Sequence, residues 1–142
     1  MKAVAYVVCF VAIQVSCYTI PDEYFTQEDY TCMERVGTDK ETLSNSFNPV
    51  TMKLEETEML KQFMYCWEQE MHMIDENGRI IPQSWEKWLV EVAFEFLQKS
   101  NHPNRYEISK KAVENCKDVT APNKFDKTVK IWNCIVPQIP DV

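Results

Sequence analysis

Apolar residues along most of the chain recur at helical spacing. Between about Leu54 and Ile74 they fall three, four or seven positions apart with Glu and Gln between them, which predicts one long helix with a single apolar face. A second stripe, rich in tryptophan and valine, predicts a helix from about Gln83 to Lys99. No alternating β-branched run bounded by turn residues occurs, so the sequence predicts an all-α domain.

Proline and asparagine mark the ends of further helices. Pro103 ends the second stripe because proline cannot continue a helix, and a shorter helix is expected over about Tyr106 to Lys117. Pro122 breaks the chain again, and Asn123 is expected to cap a last helix that reaches about Val136. Weaker patterns upstream predict helices over 28–36 and 41–47, for a total of about six.

The start of the chain has the pattern of a secretory signal peptide. Lys2 precedes an apolar run that extends to Ile13, and Cys17 stands where cleavage is expected. The run is too short to cross a bilayer, and the proline and acidic residues that follow oppose the alternative of a buried N-terminal helix. We therefore expect residues 1–17 to be a signal peptide, residues 18–142 to form one domain, and the mature protein to be secreted.

Cysteine usage fits an exported protein. Cleavage after Cys17 would leave four cysteines, whereas cleavage before it would leave an odd thiol. An even number in an oxidising compartment indicates two disulfides, and spacing alone leaves three pairings open. The four are Cys32, Cys66, Cys116 and Cys134.

Several function classes lack support in the sequence. The formal charge is −7, one unit more negative without Lys2, which argues against nucleic acid as a partner. His72 and His102 are the only histidines, and neither belongs to a nucleophile motif or to a zinc-binding spacing. We therefore expect no enzyme, metal or cofactor. The histidines titrate nearest physiological pH, so they are the candidates for acid-triggered release, with solvated surface histidines as the alternative.

The stretch MIDENGRI partly matches a calcium-binding EF-hand loop. Asp75, Asn77 and Gly78 occupy loop positions three, five and six, but Met73 and Ser84 stand where the first ligand and the bidentate glutamate belong. A helix end followed by an Asn-Gly turn explains the same residues, with Gly78 at positive φ. We favour the turn.

Two intervals between cysteines resemble a known family. Cys116 and Cys134 each lie nine positions from Phe125, and Gln62 stands four positions before Cys66. Insect odorant-binding proteins carry C-x3-C and C-x8-C-x8-C at these places, and the two cysteines replaced here by Gln62 and Phe125 bond to each other in that family. The chain is thus similar to its four-cysteine, "C-minus" branch. The stretch CWEQEMHMIDENGRI also resembles the family's segment after the third cysteine.

The resemblance implies a compact bundle of about six helices around an apolar cavity, with disulfides Cys32–Cys66 and Cys116–Cys134. It implies a carrier of odorants, pheromones or fatty acids that does not insert into membranes, with an olfactory receptor or a second copy of the chain as candidate protein partners. Because the Gln62–Phe125 link is missing, we expect the third and sixth helices to be joined only by packing. We expect this to loosen the pocket wall and to broaden the choice of ligand.

The candidate ligand contacts come from the apolar stripes of the third, fourth and last helices. Methionine and the aromatic residues suit a pocket that accepts varied shapes, although each position is equally well explained as core. Trp67, Trp88 and Tyr106 also carry polar atoms that a head group could bond. The candidates are Phe63, Met64, Trp67, Met71, Trp85, Trp88, Leu89, Val92, Phe96, Phe125, Val129 and Trp132.

Three alternative functions stay open at this point. A salivary, D7-like scavenger of host amines or eicosanoids would need a pocket carboxylate for amines, and no carboxylate is predicted on an apolar face. A haemolymph or reproductive-fluid lipid carrier would share the fold. A secreted helical signalling ligand would need no cavity. The tail VPQIPDV could cover the pocket mouth or fray.

Overall fold

Six α-helices account for most of residues 18–142, the part of the chain that the computed structural model describes. The predicted signal peptide, residues 1–17, lies outside the described residues. Within 18–142 the only β pairing is two isolated bridges, Phe47–Leu54 and Ile74–Ile80, which confirms the all-α class. The helices are α1 (Gln27–Val36), α2 (Lys40–Asn45), α3 (Glu58–Glu70), α4 (Pro82–Trp88, continued by a π-helical turn Leu89–Ala93 and by Phe94–Phe96), α5 (Arg105–Asn115) and α6 (Lys124–Ile135).

Side-chain caps fix where the helices begin. Asn123 caps α6 as predicted: its Oδ1 accepts hydrogen bonds from the amides of Phe125 at 3.0 Å and Asp126 at 2.9 Å. The hydroxyl of Thr57 accepts from the Leu60 amide at 3.2 Å, so α3 begins later than the apolar spacing predicts. Leu54 belongs instead to an extended segment, held to α6 by two hydrogen bonds with the amide side chain of Asn133.

The end of α3 is followed by the predicted Asn-Gly turn. The helix stops at Glu70, earlier than expected, because His72 adopts φ 55°. Asp75 then accepts hydrogen bonds from the amides of Asn77 and Arg79, and Gly78 has φ 74°. These bonds stabilise a reverse turn.

Two disulfides join the helices in the implied pairing. Cys32–Cys66 connects α1 to α3 with 5.7 Å between the Cα atoms. Cys116–Cys134 connects the end of α5 to α6 with 5.9 Å between the Cα atoms. These distances are ordinary for a disulfide. In the chain-entropy model each bridge stabilises the fold by about 3–4 kcal/mol.

Packing is not the only contact between α3 and α6, contrary to the expectation from the missing third disulfide. Lys61 Nζ lies 2.7 Å from Asp126 Oδ1, and both side chains are largely shielded from solvent. The rings of Tyr65 and Phe125 meet edge to face at 5.0 Å. Lys124 Nζ lies over both rings, at 4.7 and 5.2 Å from their centroids. An ion pair and an aromatic pair thus occupy the region of the absent disulfide.

The C-terminal tail packs against the protein. Ile139 is fully buried, and the ammonium of Lys99 donates to the carbonyl oxygens of Pro140 at 2.7 Å and Val142 at 2.6 Å. The tail therefore lies against the protein at these residues and does not belong to the cavity lining described below. No helix among the described residues is both long and apolar enough to cross a membrane.

Candidate ligand-binding site

A cavity of about 460 Å³ lies among the N-terminal segment, α1, α2, the 52–54 segment, α3, α4 and α6. Its walls are mostly apolar and aromatic, and its size falls in the range of small-molecule sites. Eight of the twelve predicted residues line it, and all three of the predicted helices contribute. They are Phe63, Met64, Trp67, Met71, Trp88, Val92, Phe96 and Trp132.

The other four predicted residues lie outside the lining. Trp85, Leu89 and Val129 are completely buried in the core. Phe125 is at the surface, where it packs on Tyr65. Helical spacing groups residues that face inward, but it cannot separate those that border the cavity from those that pack behind it.

Part of the cavity wall comes from segments that the sequence pattern missed. Tyr24 and Phe25 lie in and beside a three-residue 3-10 turn, and Met52 lies in the loop before α3. Such short segments have no periodicity to detect. Leu43 and Phe47, in and after the short helix α2, complete this side of the wall.

A cluster of four tryptophans forms the deep aromatic part of the site. Trp67, Trp88 and Trp132 line the cavity, and their ring centroids lie 5.0–5.7 Å apart. Trp85 packs behind them, 6.2 Å from both Trp67 and Trp88. Such edge-to-face and tilted contacts hold large aromatic surfaces in place. Tyr106, by contrast, is exposed on α5 and does not border the cavity.

A buried hydrogen bond joins two segments of the cavity wall beside this cluster. The indole nitrogen of Trp132 donates to the carbonyl oxygen of Met52 at 2.8 Å. Met52 has φ 62°, a left-handed backbone conformation that is rare outside glycine. The indole N–H of Trp132 therefore serves the protein and not a guest molecule.

Three acidic residues belong to the cavity lining, although the sequence predicts no carboxylate on an apolar face. Asp29 is half-buried, while Glu23 and Glu95 are exposed in its rim. Glu23 lies in a three-residue 3-10 turn and Asp29 in the first turn of α1, where no long apolar stripe indicates which side faces inward. Burial, together with the charges of Glu23 and Glu95, raises the pKa of the Tyr24 hydroxyl.

A further carboxyl is enclosed in the core and borders no part of the cavity. Glu68 on α3 is fully buried, and neither of its oxygens has a hydrogen-bond partner among the described residues. Burial raises the pKa of this carboxyl well above its usual range, although the charge of Lys127 opposes the rise. His72 and His102 also lie outside the cavity lining.

A disulfide-linked helical fold around an apolar cavity defines a small-ligand-binding protein. The sequence profile of the PBP/GOBP family matches residues 22–138, so the chain belongs to this family of pheromone- and general-odorant-binding proteins. This confirms the resemblance to insect odorant-binding proteins. Family members are secreted binding proteins for small hydrophobic molecules and are not enzymes. Comparisons with curated proteins and with solved structures gave no significant match.

Proposed function

We propose that this chain is a secreted carrier that holds a small hydrophobic molecule in its internal cavity. Odorants, pheromones, fatty acids and related semiochemicals are the ligand classes. The observation that carries the proposal is the cavity of about 460 Å³ within a chain of the PBP/GOBP family. An apolar site of this kind shields the apolar part of a guest from water during transport through an aqueous fluid.

The energetics of the cavity are sufficient for this role. Each methylene group that leaves water contributes roughly 0.8 kcal/mol, and micromolar affinity requires about −8.2 kcal/mol. A long alkyl chain or a large aromatic ring against the tryptophan cluster therefore supplies enough binding energy without special chemistry. The flexible side chains of Met52, Met64 and Met71 in the wall favour a range of guest shapes.

The open cavity also separates this proposal from a secreted signalling ligand, which would be expected to have a filled core. An olfactory carrier and a haemolymph or reproductive-fluid carrier share the same site chemistry. The tissue in which the protein is expressed distinguishes these two roles. An olfactory receptor or a second copy of the chain remains the candidate protein partner.

The test is displacement of a neutral fluorescent probe by alcohols and acids with alkyl chains of about 8–18 carbons. Val92 lines the cavity, so Val92→Trp should fill part of it and weaken binding by about tenfold or more. Val90 is matched in size, in burial and in position within the π-helical turn, but it faces a separate surface groove. Val90→Trp should leave affinity unchanged. Failure of the probe and of every amphiphile to bind would refute the carrier function.

A further inference from the structure

The charged residues in the cavity lining are all acidic. Asp29, Glu23 and Glu95 belong to the lining, whereas the described residues that line the cavity include no lysine, arginine or histidine. Lys40 packs on the ring of Phe25 in the wall, but its ammonium lies 2.8 Å from a carboxylate oxygen of Asp22. The potential at this end of the site is therefore negative.

Asp29 is the best placed of the three carboxylates to meet a guest. It belongs to the first turn of α1, where the amide and the hydroxyl of Thr26 both donate to its Oδ2, at 2.7 and 2.8 Å. The capping interaction thus fixes the carboxylate through one oxygen and leaves Oδ1 outside it. Burial raises the pKa of Asp29 in spite of these hydrogen bonds, so its charged form lacks full compensation and a nearby cation would supply it.

Aromatic rings accompany the carboxylates in the lining. Tyr24 and Phe96 meet edge to face at 5.0 Å, and Phe25 lies directly after the 3-10 turn that contains Glu23 and Tyr24. Ring faces attract ammonium groups, and this attraction adds to that of a carboxylate when both are partly shielded from water. A carboxylate head group would meet the opposite situation, with like charges and no basic partner in the wall.

We propose that the cavity selects guests whose apolar body ends in a basic amine, and that Asp29 receives the ammonium. Guests of equal length that end in a carboxylate bind more weakly. This inference rests on the proposed carrier function and specifies its ligand class. Glu23 and Glu95, which are exposed at the rim, contribute attraction that salt screens.

The experiment compares dodecylamine, dodecanol and dodecanoate as competitors of the neutral probe on the secreted, oxidised protein. It uses neutral pH, physiological salt of about 0.15 M and concentrations below micelle formation. Dodecylamine should bind about tenfold or more tightly than dodecanoate. Asp29→Asn keeps an acceptor for Thr26. This variant should lower the affinity for dodecylamine by about tenfold, while its affinity for dodecanol should stay within about twofold of the wild-type value.

The matched control is Glu34→Gln. Glu34 lies exposed on the same helix, outside the cavity lining, so this variant removes the same unit of charge without touching the site. Equal loss of dodecylamine affinity in both variants would show non-specific attraction to an acidic surface and would overturn the proposal. Dodecanoate binding as tightly as the amine would also overturn it but would leave the carrier function intact. Absence of binding by all three compounds would overturn both.

Discussion

Trp132 and Met52 are joined by a buried hydrogen bond, 2.8 Å from the indole nitrogen to the carbonyl oxygen. Eighty positions separate them in the sequence, and both line the cavity. The bond connects α6 to the loop before α3 and fixes a residue with φ 62°. The shape of the site therefore depends on a polar contact as well as on apolar packing.

Trp132→Phe should destabilise the fold because it leaves the Met52 carbonyl buried without its donor. We expect the free energy of unfolding to fall by about 1–3 kcal/mol, measured by urea denaturation. Trp88→Phe is the control, since Trp88 lies in the same cluster and is partly exposed. Equal losses in the two variants would mean that lost ring area, rather than the hydrogen bond, sets the effect.

Glu68→Met should stabilise the protein at neutral pH. The carboxyl is buried without a hydrogen-bond partner among the described residues, and removing such a group gains about 1–3 kcal/mol. The gain depends on pH because the pKa of Glu68 is raised in the folded state. The folded state holds its proton to higher pH than the unfolded state does. The contribution of Glu68 to the stability of the wild-type protein is therefore greatest below the pKa of glutamate in the unfolded state, about 4.3. It falls as the pH rises toward the pKa of Glu68 in the folded state.

Urea denaturation of wild type and Glu68→Met at several pH values measures this difference. The difference in free energy of unfolding between the two proteins should increase from acidic to neutral pH. Glu70→Met is a suitable control, because Glu70 is a partly exposed neighbour on the same helix and pairs with Arg35 at the surface. A gap that stays constant with pH would show that Glu68 has the same proton affinity in the folded and unfolded states.

Gln62→Cys/Phe125→Cys should narrow the range of ligands. Gln62 is followed directly by Phe63 and Met64, which line the cavity, so a covalent link from α3 to α6 would fix that wall. If the bond forms without strain, stability should rise by about 2–4 kcal/mol. Mass spectrometry checks the bond, and displacement by a panel of guests checks selectivity.

The control for this variant is Gln62→Ser/Phe125→Ser, which removes the same side chains without a bond. It loses the Tyr65–Phe125 ring contact but keeps the Lys61–Asp126 ion pair. An oxidised double-cysteine variant whose ligand panel matches the double-serine variant would contradict the idea that the missing disulfide broadens ligand choice.

Lys99→Met should loosen the tail without changing ligand affinity. Lys99 holds the carbonyl groups of Pro140 and Val142, and none of these residues lines the cavity. Faster amide hydrogen exchange at Ile139 and Val142 is expected, with probe affinity within about twofold of wild type. Lys87→Met, at an exposed position on α4, should change neither. A large loss of affinity in Lys99→Met would show that the tail does act on the site.

Sequence reasoning located most of the helices because their boundaries depend on nearby residues. Asn123 caps α6 through amides two and three positions away, and Pro103 precedes α5. The predicted limits of α3, about Leu54 and Ile74, were less accurate than those of the other helices. The Thr57 cap and the left-handed backbone at His72 ended the helix inside its apolar stripe. Apolar residues beyond these points still face the core, and their spacing therefore gives no sign that the helix has ended.

By itself, the sequence determined the all-α class, the apolar faces and, through its resemblance to a family, the disulfide pairing. Tertiary structure decided which inward residues border the cavity. It placed Trp67 and Trp88 in the wall and Trp85 behind them, although all three belong to apolar stripes. It also brought Asp29 into an apolar site. Helical periodicity reports only which side of a helix faces inward, whereas a cavity is defined by several segments that meet from distant parts of the chain.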